Sequence, residues 1–317
     1  MLLPVALAVL DQTGDKKLAT PLLLGMAYAA SVGGIGTPVG TPPNVILMGV
    51  YEEYTGHEIT FLEWMKIGLP VVLVMVPLQW VWLTRGLKEK GEALELPAPG
   101  PWSRAEVRVL IVFGLTALAW VTRSQPLGGW SHLIGAPGVG DATVALTAVV
   151  AMFLIPDGEG AQLLDWKTAA KIPWGLLILF GGGIAIARAF SASGLSEQLG
   201  NLLAALANWP VLLMLLIICL CVTFLTEITS NTATTSLLMP ILSAAAAAAA
   251  NDPRLLMVPA AISASCAFML PVATAPNAIV FGTGKFPTTT MAREGIALNL
   301  VGVVVITLVC YLLLPHT

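Results

Sequence analysis

Thr226-Glu227-Ile228-Thr229-Ser230-Asn231-Thr232 is a polar run between two apolar stretches, 210–225 and 233–250. No strongly charged loop parts them, as one would between two full membrane spans. The pattern predicts a re-entrant hairpin with its tip inside the bilayer, where non-helical backbone is tolerated only if buried in protein or lining a wet cavity. Outward from this hairpin, apolar stretches long enough to span, or nearly to span, lie at 65–84, 105–122, 141–155, 173–187, 210–225, 254–272 and 294–314. Two more segments are interrupted. The stretch 18–35 runs into Gly33-Gly34-Ile35-Gly36-Thr37-Pro38-Val39-Gly40-Thr41-Pro42-Pro43 and resumes at Asn44. The stretch 254–272 breaks at Pro271-Val272-Ala273-Thr274-Ala275-Pro276 and resumes at Asn277.

Composition agrees with a lipid solvent. Of 317 residues, 57% are hydrophobic and 10% charged, against about 25% charged in an ordinary soluble domain. Mean hydropathy is +0.86. The net charge of −3 includes no basic run, so no nucleic-acid partner is expected. Cys219, Cys221, Cys266 and Cys310 lie in apolar stretches without metal or redox spacing and read as inert thiols embedded in the membrane. If the loops near 11–17, 85–108, 156–172 and 284–293 share one side, that side holds 11 of the 15 Lys and Arg and is the cytoplasmic one. Trp64, Trp80, Trp82, Trp120, Trp130, Trp174 and Trp209 fall near the ends of expected spans, as an aromatic belt would. The proline-rich segment Leu94 to Trp102 reads as the linker between two halves.

The two interrupted segments match each other. Gly40-Thr41-Pro42-Pro43-Asn44-Val45-Ile46 aligns with Ala273-Thr274-Ala275-Pro276-Asn277-Ala278-Ile279 at an offset of 233, and Met1-Leu2-Leu3-Pro4-Val5 aligns with Leu237-Leu238-Met239-Pro240-Ile241 at an offset of 236. On the orientation above, the first break runs outward and the second inward. This is the mark of an inverted-repeat secondary transporter with its site at the interrupted helices. The expected fold is therefore all-α: a polytopic membrane protein with a re-entrant hairpin and broken helices, its first repeat incomplete. If the second repeat starts near Ala105, roughly 130 further residues are expected before Met1. The first ten residues lack the basic n-region and small-residue cleavage site of a signal peptide. The expected divisions are a transport-domain part over 1–64, with a hairpin limb and broken helix, and scaffold helices with a proline-rich loop over 65–140. The second repeat follows over 141–293, with a broken helix, the hairpin at 210–250 and a broken helix at 254–283. A C-terminal scaffold helix closes the chain over 294–317.

Three motifs carry a resemblance to a known family. Thr226-Glu227-Ile228-Thr229-Ser230-Asn231-Thr232-Ala233-Thr234-Thr235 resembles the Ser-Asn-Thr signature of the divalent anion:sodium symporter family. Gly40-Thr41-Pro42-Pro43-Asn44 and Ala273-Thr274-Ala275-Pro276-Asn277 resemble its other two loops, and the likeness covers the whole chain in order. The resemblance implies a homodimer in the cell membrane, each copy with a scaffold domain and a mobile transport domain. It implies transport of C4-dicarboxylates such as succinate, malate and fumarate, or of citrate or sulfate, together with sodium by an elevator motion. Sodium-independent anion exchange, or a truncated remnant that does not transport, are the alternatives within the family. Ser230, Asn231 and Thr232 would contact a substrate carboxylate, and Thr41, Pro42 and Thr274 would line the same cavity. One sodium site would use Thr226, Thr229, Asn231 and Ala273. The other would use Gly40 and a first Ser-Asn-Thr not found in this sequence. No cofactor beyond the coupling sodium ions is implied. Ala275 departs from the pattern, standing opposite Pro42 where a proline is expected.

The residue types suit this chemistry. An anion needs donors, and the motifs offer hydroxyls, an amide and main-chain N–H groups at helix starts, where the helix dipole adds partial positive charge. None of the three motifs holds Lys or Arg, which suits a carrier that must release its cargo. Helix breaks also free carbonyl oxygens for a hard cation. The alternative is that Ser, Thr and Asn only satisfy backbone groups at helix ends. Glu227, the one acid of the hairpin tip, could brace the loop or relay protons. Gly181-Gly182-Gly183 lacks the third glycine of a dinucleotide fingerprint and reads as a bend or a close helix contact. Gly282-Thr283-Gly284-Lys285 is not a phosphate loop, because Phe286 stands where Ser or Thr is needed. The spans carry no paired acids, activated nucleophile or zinc motif, so no enzyme is expected. His57, His132 and His316 are scattered and suggest no metal site, and Ala244 to Ala250 reads as a smooth helix limb.

Overall fold

The computed structural model describes residues 2–13, 15–87, 100–124, 129–136, 138–172, 174–195, 198, 209–249 and 251–314. Met1, Lys88, Lys90, Leu94–Pro99, Ala250 and His316, which enter the sequence readings, lie outside them. The described residues form helices and turns with a single isolated bridge, and no strand is found among them. Among the described residues, five helices are long and apolar enough to cross a membrane. In a bilayer every main-chain polar group must be satisfied within the protein, and long helices do this for these apolar sequences.

The chain divides into two compact units. The first comprises residues 1–59, 64–94 and 178–317. It opens with α1 (Leu2–Thr13) and α2 (Lys16–Gly33), the latter capped by Asp15, whose carboxylate accepts from Lys17 N at 2.8 Å. A 3-10 turn (Gly34–Gly36) and an extended Thr37 come next. Then comes α3 (Pro42–Thr55), whose first two residues are prolines, suited to a helix start because the missing N–H would be unpartnered there anyway. Most of α4 (Phe61–Thr84) belongs to this unit, as does the greater part of α9 (Trp174–Ala192). The hairpin is α10 (Val211–Ile228) and α11 (Asn231–Ala248), joined by Thr229 and Ser230 alone. The second interrupted segment is α12 (Arg254–Ala264) and α13 (Ala275–Phe281), and α14 (Thr288–Leu313) ends the unit.

The breaks are pinned at close quarters. Gly68 on α4 passes the first break so closely that a β-carbon there would lie 2.4 Å from the Ile35 carbonyl oxygen. Gly295 on α14 passes the second break in the same way, its β-carbon position 2.2 Å from the Phe268 carbonyl oxygen. Ile35 and Phe268 are related by the same offset of 233 found in the sequence. Each carbonyl also receives a buried donor: Trp64 Nε1 reaches Ile35 O at 2.8 Å, and the Tyr28 hydroxyl reaches Phe268 O at 2.7 Å. Trp64 is 1% exposed, so it is a core strut and not part of an aromatic belt, whereas Trp80 is 66% exposed. Trp64→Phe leaves the Ile35 oxygen buried without its donor, an expected loss of about 1–3 kcal/mol of stability. Thermal unfolding in detergent checks this, with Trp80→Phe as the variant expected to change little.

The structure corrects one sequence expectation and decides between the two readings of another. The stretch 254–272 is not helical to its end, because α12 stops at Ala264 and the break occupies 265–274. The helix α9 runs through Gly181-Gly182-Gly183 without interruption. The glycines there serve approach instead: a β-carbon at Gly183 would lie 2.6 Å from Ser236 Oγ on α11. The helix α14 packs on α10 and α12 within the first unit.

The second unit comprises residues 60–63 and 95–177. Its helices are α5 (Arg104–Thr122), α6 (Gly129–Leu133), α7 (Asp141–Leu154) and α8 (Trp166–Ala169). Ser103 and Glu106 form a reciprocal capping box at the start of α5. Phe61 stacks on Trp120 at 4.8 Å, and Arg123, 5% exposed, pairs with Asp141 at 2.7 Å. The helix α5 buries none of its residues within the described chain, and Phe113, Leu115 and Leu118 are exposed, as for a surface that meets lipid or another copy.

Candidate functional site

The two breaks have the same hydrogen-bond design. Asn44 Nδ2 donates to Gly34 O at 3.1 Å and Thr37 O at 2.9 Å. Asn277 Nδ2 donates to Ala267 O at 3.0 Å and Leu270 O at 3.1 Å. Each acceptor of the second set lies 233 residues after its counterpart in the first. In both breaks a fully buried Asn at the start of the second half-helix thus turns back and holds two carbonyls that the interruption has freed. The main-chain bonds Gly40 N to Thr37 O and Ala273 N to Leu270 O, both 3.2 Å, obey the same rule. Thr41 and Thr274 are the equivalent N-caps and both are extended, at φ −150° and −138°.

Between these breaks and the hairpin turn lies a cavity of about 450 Å³. Gly40, Thr41 and Pro42 line it from the first break, and Ala273 and Thr274 from the second. Ser230, Asn231 and Thr232 line it from the turn. Of the residues singled out from the sequence, Thr226 and Thr229 stand outside the lining. Packing brings the parts together: α11 lies on α3 and α12, while α13 lies on α2, so each break is covered by an element from the other end of the chain. The lining also includes Ala30, Ser31, Pro43, Ser265, Val272 and Pro276, which sequence reasoning missed or left unassigned. Ser31 and Ser265 were hidden as small residues in apolar runs. Applying the offset of 233 to Gly33-Gly34 would have flagged the region around Ser265 as the start of the second break.

None of the lining residues is Lys, Arg, His, Asp or Glu. Donors come instead from hydroxyls, the Asn amide and the start of α11. There the first intrahelical bond within reach of the turn is Thr234 N to Ser230 O at 2.8 Å. The N–H groups of Asn231, Thr232 and Ala233 therefore precede the helical ladder, at the positive end of an 18-residue helix. The two breaks differ in donors. Pro42 and Pro43 open α3 with no N–H, whereas Ala275 keeps one at the first position of α13. Thr274 Oγ1 caps Asn277 N at 3.2 Å, but the Thr41 hydroxyl makes no cap and lies 3.5 Å from Ser265 Oγ.

Oxygens cluster behind the turn. Thr226 Oγ1 lies 2.6 Å from Asn231 Oδ1 and 3.1 Å from Ala264 O, so one hydroxyl proton is shared among three oxygens. Such a set suits a hard cation. Thr229 contributes no hydroxyl to it, since that group is bonded to Leu225 O at 2.8 Å and Thr234 Oγ1 at 2.6 Å.

Comparison with known proteins identifies relatives along the whole chain. The family described as "Sodium:sulfate symporter transmembrane region" matches residues 2–314. The sodium-dependent dicarboxylate transporter SdcS of Staphylococcus saprophyticus is 41% identical over 340 residues, covering 99% of this chain. The protein of the same name from Staphylococcus aureus strain MRSA252 is 39% identical over 339 residues, again covering 99% of the chain. The chain spans 65% of the length of each of these relatives.

Proposed function

The chain belongs to the sodium:sulfate symporter family as a multi-pass membrane protein, and on that premise we propose that it carries a small dicarboxylate across the membrane together with sodium. The observation that supports this best is the uncharged cavity between two matched helix breaks and the Ser-Asn-Thr turn. A dianion held by hydroxyls, an amide and helix-start N–H groups is bound by partial charges that also let it go. A buried ion pair would hold it more tightly. Sodium supplies full positive charge that departs with the cargo, so substrate affinity and sodium occupancy are linked. The relatives named sodium-dependent dicarboxylate transporters support the same reading.

In this proposal Ser230, Asn231 and Thr232 face one carboxylate, and Thr41, Pro42 and Thr274 close the rest of the cavity. Thr226, the Thr229 carbonyl, Asn231 and Ala273 hold one sodium ion, and Gly40 contributes its carbonyl to another. C4-dicarboxylates such as succinate, malate and fumarate are the proposed cargo. The protein acts as a homodimer by an elevator motion of a transport domain against a scaffold domain, and it is not an enzyme.

The test is uptake of labelled succinate by proteoliposomes of the full-length protein under an inward sodium gradient. Accumulation that collapses when choline replaces sodium is expected. Equal uptake without sodium, requiring dicarboxylate inside the vesicle, would make the protein an exchanger and overturn the sodium-coupled reading.

A further inference from the structure

Glu227 is the penultimate residue of α10 and 3% exposed, yet it does not line the cavity. Its Oε1 accepts from Phe268 N at 2.7 Å, Met269 N at 2.8 Å and Asn299 Nδ2 at 2.7 Å, and its Oε2 accepts from Leu270 N at 3.0 Å. Three consecutive main-chain donors of the second break therefore end on one side chain. A break inside apolar surroundings leaves such N–H groups without partners, and a two-oxygen, acceptor-only group is the side chain best able to take several at once. With four donors converging on its two oxygens, the carboxylate is placed to brace the break, not to pass protons along.

The surrounding contacts act on the same peptide. Asn299 on α14 donates to Glu227 and also accepts from Phe268 N through Oδ1 at 3.2 Å. Tyr28 holds the carbonyl of that residue, and Gly295 leaves room for it. One residue before Glu227, Thr226 reaches Ala264 O, the last residue of α12. Adjacent residues of α10 thus hold the entrance to the break, at Ala264, and its first turn, at 268–270. Three residues beyond that turn, Ala273 and Thr274 line the cavity.

We propose that Glu227 is a positioning residue for the transport site: it fixes the backbone at 268–270 and thereby sets where Ala273 and Thr274 stand relative to Asn231, with Asn299 orienting its carboxylate. This rests on the reading of the cavity as a sodium and dicarboxylate site. Hairpin tip and second break then form a single rigid frame. A sodium ion bound between them meets oxygens already in place, which spares the ordering that would weaken binding.

Sodium-dependent thermal stabilisation of the full-length protein in detergent separates the possibilities, because a ligand that binds only the folded state stabilises it by RT ln(1 + [L]/Kd), so the rise of melting temperature with sodium yields the dissociation constant. Glu227→Gln keeps the shape but turns an amide NH₂ toward one of the donors that the carboxylate accepts. The sodium dissociation constant fitted from that stabilisation is expected to rise at least tenfold in Glu227→Gln and about threefold in Asn299→Ala. Amide exchange at residues 268–270 should quicken in both, with the limbs of the hairpin unchanged. A merely structural role would lower the melting temperature equally with and without sodium. A sodium dissociation constant within twofold of wild type in Glu227→Gln would therefore overturn the proposal. Should that variant not fold, an unchanged sodium dissociation constant and unchanged exchange in Asn299→Ala would overturn it instead. Wild-type protein that sodium does not stabilise would remove the underlying sodium-site reading, and the proposal with it, an outcome visible before any variant is made.

Discussion

Asn231→Ala is expected to abolish sodium-dependent succinate uptake by the full-length protein while leaving its amount in the membrane unchanged. The side chain stands at the first position of α11, lines the cavity, and has its Oδ1 2.6 Å from Thr226 Oγ1. In the proposed mechanism the amide oxygen meets a sodium ion and the amide nitrogen meets a carboxylate. Hydrogen bonds to charged groups contribute about 1.5–3 kcal/mol each, so losing two contacts of this kind lowers affinity by about 10²–10⁴-fold. Folding should survive, because the residue is only half-buried and alanine is a good helix former. Asn231→Asp separates the two roles. It keeps an oxygen for the cation and places a negative charge against the substrate, so sodium should still raise the melting temperature while succinate no longer does. Uptake unchanged in Asn231→Ala would remove the hairpin turn from the mechanism.

The parts of this site differ in how openly the sequence announces them. The first break was legible because its signals are local: Gly33-Gly34, Gly36, Pro38 and Gly40 weaken helix, the Pro42-Pro43 pair can open a helix but not continue one, and α2 does end at Gly33. The hairpin was legible because a run of seven residues, six of them polar, interrupts two apolar limbs. The second break was read too late in the chain. Residues Ser265 to Met269 contain neither Gly nor Pro, and nothing in them forbids a helix. They leave it because Glu227, Asn299, Tyr28 and Asn277 take up their main-chain groups. That information is spread over four distant positions, so a scan for local breakers passes over it. The offset of 233 does contain it, since it maps Gly34 and Thr37 onto Ala267 and Leu270, the two carbonyls that Asn277 holds. Trp64 misled for a related reason. Its place near a span end is common to belt and core tryptophans, and only the buried Ile35 carbonyl tells the two apart.

The other large effect is expected at Gly40, where the first break folds back on itself. A β-carbon at Gly40 would lie 2.3 Å from the carbonyl oxygen of Gly34 and 2.8 Å from both its carbonyl carbon and its Cα. All three are main-chain atoms, so no rotamer change relieves the contact. The crowding is mutual, since a β-carbon at Gly34 would lie 2.7 Å from the Gly40 oxygen. Gly40→Ala must therefore spread the loop 34–41. The Gly34 oxygen then leaves Asn44 Nδ2, and Thr41 is carried away from the cavity with it. Two buried groups left without partners cost about 1–3 kcal/mol each, and the displaced Gly40 carbonyl no longer faces the cation proposed for it. The expected result is a melting temperature lower by several degrees and no stabilisation by sodium through the first break. Gly33→Ala, seven residues earlier, is the matched control: its β-carbon would meet nothing within 4 Å, and alanine is favoured over glycine in a helix by about 0.5–1 kcal/mol. That variant should equal or exceed wild type in stability and bind sodium as before. If Gly40→Ala instead kept both its melting temperature and its sodium response, the close crossing of residues 34 and 40 would not be what shapes the first break. Gly40 would then have to be dropped from the proposed sodium ligands.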